Sequence, residues 1–103
     1  MALEGIDARL RFAIACKRLI QFKYTGALRV AEPHDYGLYK GSLRLLVYQL
    51  SNSGKSGAEI RGWRLLELEK LSECVVLEAT FSGSRGHAHQ NHYSWDVVYA
   101  RVA

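Results

Sequence analysis

The chain holds one proline, Pro33, and two cysteines, Cys16 and Cys74, in 103 residues. Two distant cysteines offer neither a disulfide framework nor a zinc-ligand spacing, and both read as small core residues of a reduced, cytoplasmic protein. No apolar run approaches the roughly 18 residues that a membrane-spanning helix needs. The first dozen residues, MALEGIDARLRF, carry acids early and lack the uncharged core of a secretory signal. Nor is there a phosphate loop. The polar stretch SNSGKSG at 51–57 contains GKS, but Gln49 stands where GxxxxGK[ST] requires its first glycine. No GxSxG or other nucleophile–base pattern stands out, so a catalytic role is not expected and no cofactor is implied.

What is present suits one folded domain. Hydrophobic residues make up 49% and charged residues 23% of the chain, which excludes disorder as the main state. The net charge of +4 is unevenly placed. Between Lys17 and Arg64 nine basic residues face three acids, whereas residues 65–80 carry four acids and one lysine. Such a split fits a basic face that orients an anionic partner, backed by an acidic one. Arginines outnumber lysines nine to five, and guanidinium is the better bidentate ligand for phosphate.

Apolar spacing assigns residues 5–19 to one amphipathic helix, with Ile6, Leu10, Ala13, Ile14, Cys16 and Leu19 on its inner face. Ile20, Phe22 and Tyr24 then alternate with polar residues as a half-buried strand. Thr25-Gly26-Ala27 and Lys40-Gly41-Ser42 read as hairpin turns. Pro33 ends the strand that begins at Leu28, because proline cannot donate to a ladder. Further strands are expected over 43–50, 60–65 and 74–81, followed by an exposed His-rich loop at 82–92 and a last strand at 93–102. One helix followed by six or seven short strands predicts a mostly β single domain, a small barrel over about 20–81 with an N-terminal α-helix as its cap.

The order of features is similar to the WYL domain. The residues that carry the likeness are Tyr24, then Arg29 four before Pro33, then Gly41-Ser42-Leu43-Arg44-Leu45-Leu46-Val47-Tyr48. Arg61-Gly62-Trp63-Arg64-Leu65-Leu66-Glu67-Leu68 and Glu78-Ala79-Thr80-Phe81 complete it. The Trp-Tyr-Leu that names the family is Leu43-Arg44-Leu45 in this chain, and its usual Asp-Arg is Leu66-Glu67. The resemblance implies an Sm-like or SH3-like β-barrel of the kind found in bacterial transcription regulators. It also implies a ligand-sensing surface lined by arginine, for nucleic acid or a nucleotide-like anion. Tyr24, Arg29, Arg61 and Arg64 occupy the matching positions, and Arg44 is an addition of this chain. About 20 residues precede the first strand, too few for a helix-turn-helix, so the chain is expected to be either a free-standing sensor or the partner of a chain that carries the DNA-binding domain.

Arg29, Arg44, Arg61 and Arg64 all lie inside apolar runs rather than in the loops between them. An arginine within a strand points either to solvent or toward something anionic, and Arg61 and Arg64, three apart, should face opposite ways unless Gly62 marks a bulge. Two further readings accompany the ligand-binding one. In the first, Tyr93, Trp95, Val97 and Tyr99 share a face of the last strand and form a homo-oligomer contact. In the second, His87, His89 and His92 hold a metal, although this segment lacks the nearby acid of HxHxDH hydrolases and reads more simply as an exposed loop.

Overall fold

A computed structural model describes residues 2–52, 60–86 and 93–103. Helix α1 spans Ala2–Ala15, and six strands follow: β1 Arg18–Tyr24, β2 Ala27–Tyr39, β3 Ser42–Asn52, β4 Gly62–Glu67, β5 Leu71–Thr80 and β6 Val97–Arg101. All pairings are antiparallel, in the order β4-β3-β2-β1-β5, with β6 also paired to β2. The fold is therefore mostly β with one N-terminal helix. β4 and β5 stand at opposite ends of the pairing order, yet only the 3-10 turn Leu68–Lys70 separates them. The sheet must curl until its ends approach, and Tyr24 Oη of β1 accepts a hydrogen bond from the Glu67 amide of β4 at 3.0 Å across the curl. No ladder among the described residues joins β4 to β5, so what the pairing shows is a curled antiparallel sheet.

Both sharp hairpins come from two-residue turns whose central residues have positive φ. These are Thr25 and Gly26 (50° and 83°) and Lys40 and Gly41 (50° and 81°). Turns of this hand match the twist of the strands they join, and glycine at the second position removes the steric cost.

Three expected boundaries differ from the structure. The helix stops at Ala15 rather than continuing to residue 19, because Lys17 turns left-handed (φ 55°) and closes the last turn onto the Ile14 carbonyl at 3.3 Å. Cys16 is left exposed just beyond the helix end instead of joining the core, whereas Cys74 is buried.

Strand β2, in turn, runs through Pro33 without a break. Along one edge it pairs with β1 from Ala27 to Ala31 and with β6 from Asp35 to Leu38, so Pro33 sits where that edge changes partner and needs no N–H. At the same place the register against β3 slips by one residue, from Pro33↔Val47 to Asp35↔Leu46. Such a bulge leaves His34 extra and turns His34 and Asp35 to one side. Neighbouring residues that would diverge in a regular strand thus stay together. The last strand, finally, is confined to Val97–Arg101, because Asp96 is already committed to the β2–β3 turn. Its amide bonds to the Leu38 carbonyl at 2.8 Å and its carboxylate to the Gly41 amide at 2.9 Å.

One core lies on the inner face of the sheet beneath α1. Leu10, Ala13 and Ile14 of the helix pack with Ile20, Phe22, Ala31, Tyr36, Leu45, Val47, Leu66 and Val102. Burial of side chains such as Phe22 and Leu45 supplies the driving force, at about 1.5–3 kcal/mol each. No helix of the described residues is long and apolar enough to cross a membrane.

Candidate ligand-binding site

The register sorts the four arginines. On β2, Arg29 shares a face with Ala31, and on β4, Arg64 shares a face with Leu66; both faces are the inner one. Arg29 pairs with Phe22 and Arg64 with Val47, so each borders the packed core, Arg29 on the end of β2 that leads out of the Thr25–Gly26 turn. The pKa of Arg29 is lowered chiefly by burial; Tyr24 pulls it the other way, and the charge of Arg64 lowers it a little further. Tyr24 belongs to the same end, with its ring 5.2 Å from the Arg29 guanidinium carbon. Sequence reasoning named Arg29, Arg64 and Tyr24, and the fold brings these three together.

Local contacts fix Arg29 in place. Its Nη1 donates to Gln49 Oε1 at 3.1 Å, and its Nη2 donates to Thr25 Oγ1 at 3.2 Å and to the Tyr24 carbonyl at 3.4 Å. All three acceptors are neutral, so the charge is oriented without being cancelled by them. The Arg29 Nε is buried and meets no acceptor among the described residues. Gln49 is itself held, donating to the Ile60 carbonyl at 2.6 Å. It is a positioning residue that the sequence reading missed; its place two residues beyond Val47, on the same strand face, was the available signal.

Gly62 explains the direction of Arg64. Its φ of 148° suits glycine, and a Cβ there would lie 3.1 Å from Arg64 Nη1. The guanidinium folds back over the glycine and donates to the Trp63 carbonyl at 2.9 Å.

Arg44 and Arg61 do not join this group. Arg44 alternates with the core residues Leu45 and Val47 and so emerges on the other face. There it donates to Ser42 Oγ at 2.9 Å and lies 5.9 Å from the Tyr39 ring centre. Arg61 is exposed just before β4 begins. The pair Arg61 and Arg64 therefore does not straddle one strand, because only Arg64 is in it.

The other face carries a polar group that the sequence reading did not assemble. Glu32, His34 and Asp35 are buried there, and each carboxylate meets an arginine side-on. Arg85 binds Glu32 through two bonds of 2.8 and 2.9 Å, and Arg101 binds Asp35 through two of 3.0 Å. The expected Tyr93–Trp95 contact face is also used internally: both rings stand edge-on to Tyr39, at 5.5 and 6.0 Å. Among the described residues no group of three His, Cys, Asp or Glu side chains is arranged to hold a metal ion. His87, His89 and His92 lie outside the described residues.

No protein-family model, no curated protein and no solved structure matches this chain. The similarity to the WYL domain accordingly stands on the residues quoted above.

Proposed function

We propose that this protein is a non-catalytic binding module that recognises nucleic acid, a nucleotide or another phosphate-bearing ligand at the Arg29–Arg64–Tyr24 end of its sheet. One observation carries the reading: two guanidinium groups from different strands share one end of the inner face, and Arg29 is held there by neutral acceptors. Placing like charges together costs energy, and an anion between them returns it. Guanidinium is suited to charge-assisted bonds with phosphate oxygens, and Tyr24 beside Arg29 supplies a flat ring against which a base can stack. The WYL resemblance points to the same ligand class, to a cytoplasmic regulatory setting and to a partner chain that contacts DNA.

Fluorescence anisotropy with a labelled single-stranded oligonucleotide tests this. Affinity should fall steeply between 50 and 200 mM salt, with a log–log slope of about −0.7 for each phosphate neutralised. Arg29→Ala should weaken binding roughly ten-fold or more, the loss of a charge-assisted contact, while Arg44→Ala on the other face should change it by less than about three-fold. Binding indifferent to salt, or equal loss in the two variants, would sink the proposal.

A further inference from the structure

The buried polar group on the outer face has a shape of its own. His34 is completely buried, with its ring 4.8 Å from Trp63 and 5.4 Å from Phe81. Its Nε2 lies 3.1 Å from Glu32 Oε1, while its Nδ1 is buried and meets no partner among the described residues. Glu32 already accepts two bonds from Arg85, so the neutral Nε2–H tautomer satisfies the pair and leaves Nδ1 as an enclosed lone pair.

The chain that closes over this group is the short segment 81–86. The Phe81 amide donates to the Lys17 carbonyl at 2.9 Å and the Ser84 amide to the Ala103 carbonyl at 3.1 Å. Gly83 passes close to Ala103 at a φ of 116°. Arg85 is the latch. It grips Glu32 and lies flat on Tyr48, 3.8 Å from the ring centre, while 41% of its side chain stays in solvent.

We infer that residues 81–86 form a proton-linked strap, closed by Arg85 on Glu32 and released when His34 takes up a proton at Nδ1. In the closed state a proton on Nδ1 meets no acceptor among the described residues and is shut off from solvent, and it places a second cation beside Arg85 on the same carboxylate. In the open state water solvates the imidazolium, so acid favours opening. The charged groups around the ring all enter this balance: Glu32 and Asp35 from β2, Arg85 from the strap, and Arg101 of β6 through its pairing with Asp35. Glu32 and Asp35 attract the new charge and Arg85 repels it, but Glu32 and Asp35 are each already engaged by an arginine. Burial in fact holds the His34 pKa below its ordinary value, against the pull of Glu32. Opening uncovers Trp63, next in sequence to Arg64, and its cross-strand partner Tyr48, both on the other side of the sheet from that arginine.

Hydrogen exchange of the Phe81 and Ser84 amides at pH 7.5 and pH 5.0, corrected for intrinsic exchange rates, reads the strap directly. If only the open state binds the proton, at an ordinary histidine pKa, protection of these amides should fall about 30-fold across that interval. Amides in the centre of β2 and β3 should be far better protected than these two at both pH values, because they open only with the whole fold, and His34→Gln should flatten the response of the strap. Protection of Phe81 and Ser84 that holds within about three-fold, or that equals that of the core strands at both pH values, overturns the inference. The comparison of strap with core in the unaltered protein decides the matter even where the His34 variant does not fold.

Discussion

Single residues separate by the side of the sheet on which they stand, and this decides what each can do. Arg29 and Arg44 look alike in the sequence, both flanked by apolar residues, but alternation turns one inward with Ala31 and the other outward between Leu43 and Leu45. The cysteines divide as sharply. Burial pushes the Cys74 thiol up to about 11, whereas Cys16 stands exposed past the end of α1. At pH 8 a thiol reagent should label Cys16 within minutes and Cys74 only on unfolding, because the thiolate is the reactive form. Equal labelling rates, followed by mass spectrometry, would contradict that placement. The arginine cluster was thus half legible. The likeness to the WYL domain, through the spacing to Pro33, singled out Arg29, and the odd separation of Arg61 and Arg64 flagged that they would face opposite ways unless Gly62 marked a bulge. Which of the two stays in the strand depended on the backbone of Gly62, and periodicity carries no information about that. Glu32, His34 and Arg85 escaped because 53 residues of sequence separate the latch from its carboxylate.

At the level of elements, β2 is the organising strand. It has thirteen residues, pairs with three other strands and changes partner along one edge at its proline. In the sequence it reads as a strand that stops at Pro33, since proline ordinarily ends a ladder and the bulge that accommodates it is set by pairing far along the chain. The hairpin turns, in contrast, were legible, because Thr-Gly and Lys-Gly state their own backbone requirement. Gly37 shows how closely β6 approaches: a Cβ there would collide with the Val97 carbonyl oxygen. Gly37→Ala should therefore detach β6 locally and cost about 1–3 kcal/mol, as overpacking does. Urea unfolding measures the loss, and a midpoint unchanged from the parent would show that β6 is not seated as described.

The whole molecule has an acid-sensitive balance. Burial holds the His34 pKa below its ordinary 6.5. Burial alone would raise that of Glu32, but the hydrogen bonds from Arg85 and His34 outweigh it and hold the carboxyl below its ordinary 4.5. Asp7 is lowered from 3.8, first by the hydroxyl of Tyr36, which donates to it at 2.6 Å. All three groups bind protons more readily when unfolded, so each adds stability at higher pH and loses it as pH falls. The histidine contribution is complete above 6.5 and begins to drop below it, and those of Glu32 and Asp7 follow below 4.5 and 3.8. Thermal unfolding should show a melting temperature that is level above about pH 7.5 and falls in two stages, with the upper stage absent in His34→Gln. A melting temperature that rises between pH 7 and 5 would reverse the sign and refute the assignment.

The order in which the strands pair also bears on how the chain reaches this state. Strands β1 to β4 each lie beside the one before, joined for the first three by two-residue turns, so this meander can assemble from neighbours in the sequence. By contrast, β5 must return to β1 and β6 to β2 across long stretches of chain. Closing such loops is slow, and a sheet completed this way belongs with the millisecond-to-second folders. Substitutions in β6 should then leave the folding rate nearly untouched and act on the unfolding rate instead, the kinetic mark of a strand that docks after the barrier has been crossed.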